Sequence, residues 1–240
     1  MKRGKGTVRD MESGRMQVMS RVGKLLVLVA ALLLVGAAQA SAWEIVRPVK
    51  LKVPYSAKPG DEKIGKVSAE TRGGEVAGFL LLEKRKVEGV EWYGVRIGKR
   101  PNDKVGWIQA NRAYTVDARY RIRISLANRS LTLFKDGRRV WKATVIVGAV
   151  ATPTPEGLFA VHDFYRVFDD LRPWVIETTA HSEVHETYLG GPARVAIHGR
   201  HGALAVPWGI RASNGCIRTP NWALRSLRRL VPVGTPIRVG

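Results

Sequence analysis

Apolar and polar residues alternate along much of the chain with the two-residue period that is typical of β-strands. The first group of short strands is predicted between about residues 49 and 115, where Gly, Pro and Asn separate the segments. Its members are Val49 to Val53, Glu75 to Leu82, Val90 to Ile97 and Val105 to Gln109. The pattern predicts a small all-β domain at residues 43–117.

A second group of strands is predicted from Tyr120 onward, where isoleucines alternate with arginines as in a strand with one solvent-exposed face. Two further strand candidates, Leu131 to Phe134 and Val140 to Val147, flank Asp136-Gly137, which is a strong signal for a two-residue hairpin turn. We therefore expect a domain boundary at residues 116–119 and a second, mainly β domain at 118–240.

Two stretches have a helical pattern and predict one or two helices in this second domain. The first is Thr178 to Tyr188, and the second is Asn221 to Leu230, where leucines repeat every three residues opposite three arginines. Those arginines, Arg225, Arg228 and Arg229, are interpreted as a solvent-exposed helix face.

The N-terminal residues 1–42 have the outline of a signal peptide. Arg21 and Lys24 precede the uncharged run Leu25 to Val35, and Ala38-Gln39-Ala40 offers a small-x-small cleavage site. The run is shorter than the roughly 18 residues that a membrane-spanning helix needs, so a cleaved signal is favoured over a permanent anchor. We expect an exported protein of the periplasm or cell wall, with membrane contact only through this segment if it is retained.

The formal net charge is +20, and lysines and arginines occur along the whole length of the chain. Such a surface attracts polyanions. In an exported protein the expected partners are anionic cell-wall polymers or lipid headgroups, and not nucleic acid. A basic surface that serves only solubility remains an alternative.

The chain has a single cysteine, Cys216, so an intramolecular disulfide is impossible. A lone thiol in an oxidising compartment pairs between chains, lies inert in the core or reacts. Eighteen residues earlier, Ile197-His198-Gly199 supplies an imidazole, which a thiol with an ordinary pKa of about 8.5 needs as a base. The turn Ser213-Asn214-Gly215 before the cysteine can direct successive backbone N–H groups into one concavity that suits an oxyanion.

This segment resembles the catalytic domain of the L,D-transpeptidases, whose signature is His-Gly, a loop, and Ser-His-Gly-Cys followed by a hydrophobic residue and Arg or Asn. Gly148 with Thr152-Pro153 or Thr154-Pro155 before Gly157 is similar to the family's Thr-Pro-x-Gly segment. The end of the chain, Gly234 to Ile237, is similar to its closing strand, so the resemblance covers residues 120–240.

A weaker resemblance covers the first domain. Glu91 to Arg96 and Val105 to Ile108 are similar to the last strands of bacterial SH3 domains. Trp92 and Trp107 would then line a ligand groove or, more simply, pack in the core. Together the two resemblances imply a mainly β protein, with a small SH3-like wall-binding β-barrel before a β-rich L,D-transpeptidase domain that has one or two helices.

The family resemblance also implies a role for each residue of the motif. Cys216 would be the nucleophile and His198 its base, with the imidazole held by the carbonyl of Gly199. The oxyanion and substrate-binding group would comprise Ser213, Asn214, Gly215 and Arg218. The backbone N–H groups of Asn214, Gly215 and Cys216 would bind the oxyanion. The guanidinium of Arg218 would steady the motif loop or bind a substrate carboxylate. No metal or other cofactor is implied.

Asn214 is a departure, because the family pattern has a second histidine at this position. If the position contributes backbone geometry, Asn is a mild change, since it tolerates turn conformations well. If the imidazole assists proton transfer in relatives, the rate or pH profile of this protein should differ.

His181, His185 and His201 invite a metal interpretation, but no third ligand set accompanies them, so surface or pocket-wall positions are expected.

The implied function is a peptidoglycan L,D-transpeptidase that acts on stem peptides and forms 3→3 cross-links through a cysteine thioester. Two alternatives stay open from the sequence. One is a cysteine L,D-carboxypeptidase or amidase, in which water resolves the same thioester. The other is a non-catalytic cell-wall-binding protein that uses its basic surface and SH3-like domain.

Overall fold

The computed structural model describes residues 43–166, 174–188, 190–200 and 206–240. The predicted signal segment at 1–42 and His201 therefore lie outside the described residues. Among the described residues, no helix is both long and apolar enough to span a membrane.

The first half of the described chain forms a seven-stranded sheet, which we call the N-terminal sheet. Its strands are β1 Glu44–Pro48, β2 Lys52–Ser56, β3 Lys63–Ser68, β4 Phe79–Val87, β5 Val90–Arg96, β6 Val105–Gln109 and β7 Ala113–Asp117. They pair antiparallel in the order β3-β2-β6-β5-β4-β1-β7. Trp92 and Trp107 are 7% and 4% exposed, which places both in the interior. The resemblance of this sheet to SH3 domains stays a prediction.

The second half forms an eight-stranded C-terminal sheet with two small two-stranded sheets. The strands are β8 Tyr120–Ser125, β9 Ser130–Lys135, β10 Arg138–Thr144, β11 Val147–Gly148, β12 Gly157–Tyr165, β13 Val175–His181, β14 Thr187–Tyr188, β15 Gly191–Pro192, β16 Arg194–His198, β17 Arg211–Ser213, β18 Ile217–Arg218 and β19 Pro236–Val239. The main sheet has the order β10-β9-β8-β19-β12-β13-β16-β18, while β11 pairs with β17 and β14 with β15. The protein is thus mainly β, as the sequence predicts.

Local sequence explains the hairpin in the C-terminal sheet, and long-range pairing places its last strand. Asp136 and Gly137 join β9 to β10 with φ values of 47° and 79°, the left-handed conformations that a tight hairpin turn of this type requires. The last strand, β19, lies between β8 and β12, so the end of the chain completes the centre of the sheet. It pairs parallel with β8 and antiparallel with β12.

One helix, α1 Asn221–Leu230, is found where the leucine repeat predicts it. Leu224 and Leu227 are fully buried against the C-terminal core, which agrees with the predicted apolar face. Its N-cap position is occupied by Pro220, without a side-chain cap.

The prediction of a helix from Thr178 to Tyr188 is wrong, because this segment contains the end of β13, turns and β14. Strand β13 lies between β12 and β16 and is buried on both faces for most of its length, so a two-residue alternation is missing from its sequence. The strand prediction beginning at Val49 is wrong as well. Val49 and Leu51 are exposed, and the strand starts at Lys52.

The two sheets pack together, and residues 42–240 form one compact unit. The chain passes from the N-terminal to the C-terminal sheet between Asp117 and Tyr120. At one contact, Asn102 hydrogen bonds with both the backbone N–H and the carbonyl of His181, at 2.7 and 2.9 Å. At another, a Cβ on Gly78 would lie 2.3 Å from the carbonyl oxygen of Val233, so only glycine allows this approach of the two backbones.

A third contact is made by residues 70–76, which we call the docking loop. Its Thr71 hydroxyl and Gly73 amide donate to the two carboxylate oxygens of Asp163 on β12, at 2.5 and 3.0 Å. Asp163 is only 4% exposed and also accepts a 2.7 Å hydrogen bond from the amide of Phe164. This buried carboxylate holds the docking loop on the C-terminal sheet.

The prediction that the helix arginines are only a solvent-exposed face is wrong for Arg228. Its guanidinium forms an ion pair with Glu75 of the docking loop and lies over the rings of Phe164 and Trp174, 4.9 and 4.7 Å from their centroids. A planar guanidinium is suited to stack on aromatic rings while it pairs with a carboxylate. Arg228 therefore fixes the helix and the docking loop to each other.

The carboxylate of Asp163 should contribute measurably to stability. Asp163→Ala removes the acceptor of three hydrogen bonds, and we expect a loss of about 3 kcal/mol in the free energy of unfolding. Urea denaturation measures this. The matched control is Glu83→Ala, which removes a solvent-exposed carboxylate that pairs with Arg85 and should change stability within about 0.5 kcal/mol. Equal losses in the two variants would contradict the assignment.

Candidate active site

The segments that carry His198 and Cys216 lie side by side at the edge of the C-terminal sheet. Strand β16 pairs parallel with β18, with Ile197 opposite Ile217 and His198 opposite Arg218. Ile197 and Ile217 are buried in the core. Because successive side chains of a strand alternate between its faces, His198, Cys216 and Arg218 lie on the opposite face of the sheet. Adjacent strands are about 4.8 Å apart, so this pairing brings the two segments into proximity.

The imidazole of His198 is oriented by its own neighbour. Its Nδ1 lies 2.6 Å from the carbonyl oxygen of Gly199, which is the contact that the sequence comparison implied. A carbonyl oxygen only accepts, so Nδ1 carries the proton and donates it in this hydrogen bond. The tautomer leaves the lone pair on Nε2, and that nitrogen can accept a proton.

The turn before Cys216 is fixed by a glycine and by a serine hydroxyl. Gly215 has φ 101°, a conformation that L side chains rarely adopt, so glycine is required at this position. The Ser213 hydroxyl donates to the carbonyl of Cys216 at 2.5 Å and closes the turn. Within the part of the chain that the structure describes, the backbone N–H groups of Asn214, Gly215 and Cys216 make no hydrogen bond. These amides are therefore candidate donors to an oxyanion.

Two threonines hold this turn from the other side. The buried Thr154 hydroxyl accepts from the amide of Gly148 at 2.9 Å and donates to the carbonyl of Gly215 at 2.8 Å. Thr152 donates to the carbonyl of Ser213 at 3.0 Å. The sequence left open which Thr-Pro pair matters, and the structure gives each threonine a contact with the turn.

The electrostatic surroundings of the thiol oppose its ionisation in the unliganded protein. Burial raises the pKa of Cys216, while the backbone amide of Ala196 and the charge of Arg218 act in the opposite direction, and Glu177 adds to the rise. The residue as a whole is half-buried. A base that removes the proton as the reaction proceeds is therefore needed, and Nε2 of His198 is the candidate.

Sequence reasoning missed several polar residues on the same face. Asp163 on β12 is opposite Glu177 on β13, and Glu177 is opposite Ala196 on β16. Glu177 lies 3.7 Å from the guanidinium of Arg194. Tyr165 stands at the end of β12, where burial raises the pKa of its hydroxyl to about 12 and keeps it neutral. Glu177 is the one acidic residue in the run from Val175 to His181, but the sequence pattern does not predict this run as a strand, so it assigns no face to Glu177.

The other sequence candidates lie elsewhere or make other contacts. The His181 Nε2 is 3.0 Å from the carbonyl of Gly98 and 3% of the residue is exposed, so it is an interior contact and not a surface or pocket-wall residue. His185 is exposed. Among the described residues, no three His, Cys, Asp or Glu side chains group as a metal site would require. Asn214 is exposed, and its side chain makes no hydrogen bond to the described part of the chain.

A cysteine and an oriented histidine on neighbouring strands are the groups that a thiol-dependent acyl-transfer site requires. The model of the L,D-transpeptidase catalytic domain matches residues 119–239, about half of the chain. The protein belongs to this family. No match is found among the curated proteins.

Solved structures of L,D-transpeptidases are similar to this chain at low identity. The catalytic domain of an E. faecium L,D-transpeptidase is 25% identical, with 50% of this chain and 95% of that one covered and a TM-score of 0.37. An L,D-transpeptidase from Mycobacterium tuberculosis H37Rv is 19% identical, with 59% and 74% covered and a TM-score of 0.43. The Ldtfm-avibactam carbamoyl enzyme is 23% identical, with 51% and 49% covered and a TM-score of 0.40, so the chain spans about half the length of that protein.

The Thr154 hydroxyl should be required for the geometry of the turn. Thr154→Val keeps the shape of the side chain but leaves the Gly148 amide and the Gly215 carbonyl without their partner. We expect a loss of about 2 kcal/mol in the free energy of unfolding and slower acylation of Cys216. Thr154→Ser keeps the hydroxyl and should retain both properties. Chemical denaturation and the rate of mass increase on acylation give the two readings, and an unimpaired Thr154→Val variant would disprove the role.

The raised pKa of Cys216 predicts a pH profile for alkylation. Iodoacetamide labelling across neutral to alkaline pH should show a midpoint above the usual thiol value of about 8.5. Glu177→Gln removes a nearby negative charge and should shift the midpoint down, whereas Arg218→Gln removes a positive charge and should shift it up. Reduced glutathione serves as the reference. A midpoint at or below that of glutathione, or shifts of the opposite sign, would contradict this account.

Proposed function

We propose that this protein is an exported L,D-transpeptidase that joins peptidoglycan stem peptides by 3→3 cross-links through a thioester on Cys216. The observation that carries the proposal is the pairing of β16 with β18, which sets an oriented His198 and Cys216 on one face of the sheet. The membership of the family supports the class of reaction.

In the first half-reaction, a stem tetrapeptide is the acyl donor. His198 Nε2 accepts the proton of Cys216 as sulfur attacks the carbonyl carbon of the third residue. The amides of residues 214–216 donate to the oxygen that becomes negative in the tetrahedral intermediate. The imidazolium then gives its proton to the leaving amine, so terminal D-Ala departs and a thioester remains.

In the second half-reaction, a side-chain amine of a neighbouring stem attacks the thioester. The amine nitrogen loses a proton to His198 as its bond to the carbonyl carbon forms, and the C–S bond breaks. The proton returns to sulfur and regenerates the thiol. Exposed Asn214 fits this scheme as a residue that contributes its backbone N–H, because the scheme requires no second imidazole.

The N-terminal sheet and the basic surface suit a protein that remains close to its polymer. The segment at 43–117 would bind the wall and raise the local concentration of stem peptides around the site. The net charge of +20 would add attraction to anionic wall polymers. Export by the segment at 1–42 would bring the enzyme to the periplasm or cell wall.

Incubation of the purified protein with a disaccharide tetrapeptide tests the proposal. Mass spectrometry should show a cross-linked dimer that has lost one D-Ala. Cys216→Ser should abolish the product, because a hydroxyl is a far weaker nucleophile than a thiolate. His198→Gln should slow turnover by about two to four orders of magnitude, the usual contribution of a general base.

Each alternative function has its own outcome in this assay. Trimmed monomer without dimer would show that water resolves the thioester and would reject the transpeptidase in favour of a carboxypeptidase. Unchanged substrate, with wall binding intact in the Cys216→Ser variant, would instead identify a non-catalytic binding protein. Glu183→Gln, an exposed change after β13, is the matched control and should behave as the parent protein.

A further inference from the structure

Five exposed cations share one face of the C-terminal sheet, on strands at the other end of the strand order from β16 and β18. On β8 the isoleucines are buried in the core, so the arginines that alternate with them lie on the opposite, solvent-exposed face. Strands β9, β10 and β19 continue this face. Its cations are Arg121, Arg123, Arg139, Lys142 and Arg238, which we call the cationic face.

The strand register sets three of these cations in one row. Arg238 of β19 is opposite Arg123 of β8, which is opposite Thr132 of β9, and Thr132 is opposite Lys142 of β10. The row spans about three strand spacings, or roughly 15 Å. Arg123 and Arg238 are direct cross-strand partners, and like charges in that arrangement destabilise a sheet.

The other two cations form a second row. Arg121 and Arg139 are opposite Phe134 from its two sides. The guanidinium of Arg121 lies 4.6 Å from the centroid of the Phe134 ring, so this arginine is stacked on the sheet. The two rows are two residues apart along β8, which corresponds to about 7 Å. The cations are therefore spaced regularly in both directions of the face.

The positive charge of this face is not compensated within the described part of the chain, where none of the five cations forms an ion pair. Arg119, at the start of the same domain, shows the contrast, because it pairs with Asp136. Glu156 lies two positions before Leu158, which is opposite Arg238, yet it makes no ion pair with that arginine. An anion from outside the chain would relieve the repulsion within the face.

We propose that the cationic face binds a linear polymer of phosphodiesters, which lies along the two rows with its phosphates between the cations. A guanidinium group can donate two parallel hydrogen bonds to the oxygens of one phosphate, and four of the five cations are arginines. The charges of such a polymer belong to its main chain. Binding therefore immobilises fewer rotatable bonds than the binding of a polymer with charged side chains.

The apolar content of the face favours a polymer over a lipid bilayer. Proteins that lie on a membrane insert exposed aromatic or aliphatic side chains beside their cations. Phe134 is partly buried and lies under Arg121, and Thr132 is 8% exposed. Val140, at the bulge of β10, is exposed but contributes one small side chain. The face thus presents charge and little apolar surface.

This inference goes beyond the proposed function and requires no chemistry at Cys216. The cations belong to β8, β9, β10 and β19 and their neighbours in the register, whereas His198 belongs to β16, three strands from β19 in the sheet. A polymer on the cationic face would be a second attachment to the wall besides the proposed one through the N-terminal sheet. Two attachments on one protein would raise its residence on the polymer.

Calorimetric titration of the purified protein with poly(glycerol phosphate), at several salt concentrations, tests the proposal. Binding should weaken steeply with salt, because each phosphate contact releases a counterion. The double variant Arg123→Gln with Arg238→Gln should bind about tenfold more weakly. Its slope of log affinity against log salt should be smaller by about two, since each lost phosphate contact removes about one.

The matched control is Arg225→Gln with Arg229→Gln, which removes the same net charge from the exposed face of α1 and should retain the parent affinity and slope. Arg123→Glu separates loss of the site from loss of the fold. It places a carboxylate opposite Arg238, so the melting temperature of the free protein should equal or exceed that of the parent while polymer binding is lost.

Three outcomes would overturn the inference. Equal weakening by the two double variants would show that net charge, and not this face, attracts the polymer. Binding to vesicles of phosphatidylglycerol and phosphatidylcholine, without binding to poly(glycerol phosphate), would identify a membrane surface. Tighter binding of poly-L-glutamate than of poly(glycerol phosphate) would reject the phosphodiester class. Both double variants should still cross-link the soluble disaccharide tetrapeptide, so failure of this inference is distinguishable from failure of the proposed function.

Discussion

The parallel pairing of β16 with β18 is the contact on which the candidate site depends. The pair contains only two residues of β18, yet it places the cysteine segment beside the histidine segment and leaves the side chains of His198 and Cys216 on the same face. Ile197 and Ile217 anchor it in the core. The backbone of Arg218 also bonds in both directions with Ile146, at 2.9 Å each, so the short strand is held from two sides.

Around this pairing, the buried thiol of Cys216 lies near Glu177, His198 and the motif turn. Burial disfavours the thiolate, and Glu177 adds to that effect. In the proposed reaction, the contact of His198 with Gly199 is already formed before charge develops. Such preorganisation is where acyl-transfer enzymes gain most of their stabilisation of the transition state. The threonine contacts with the turn maintain it, because they bind its carbonyl groups and leave its N–H groups available.

The N-terminal sheet contacts the face of the C-terminal sheet that carries Asp163. The docking loop binds buried Asp163, and Arg228 of α1 pairs with Glu75 of the same loop. The docking loop therefore contacts the C-terminal sheet at Asp163, the residue opposite Glu177 on the adjacent strand.

The sequence alone determined the mainly β class, the hairpin at Asp136-Gly137, the helix α1 and the cysteine motif, because each depends on local spacing or on residue types with strong backbone preferences. It failed at β13, since a strand buried between two neighbours lacks alternation. Only the tertiary structure brought Glu177 beside Arg194 and Asp163, because these residues are distant in the chain and meet through strand register. The tertiary structure likewise decided the raised pKa of the thiol, which depends on burial, a property of the folded protein and not of local sequence.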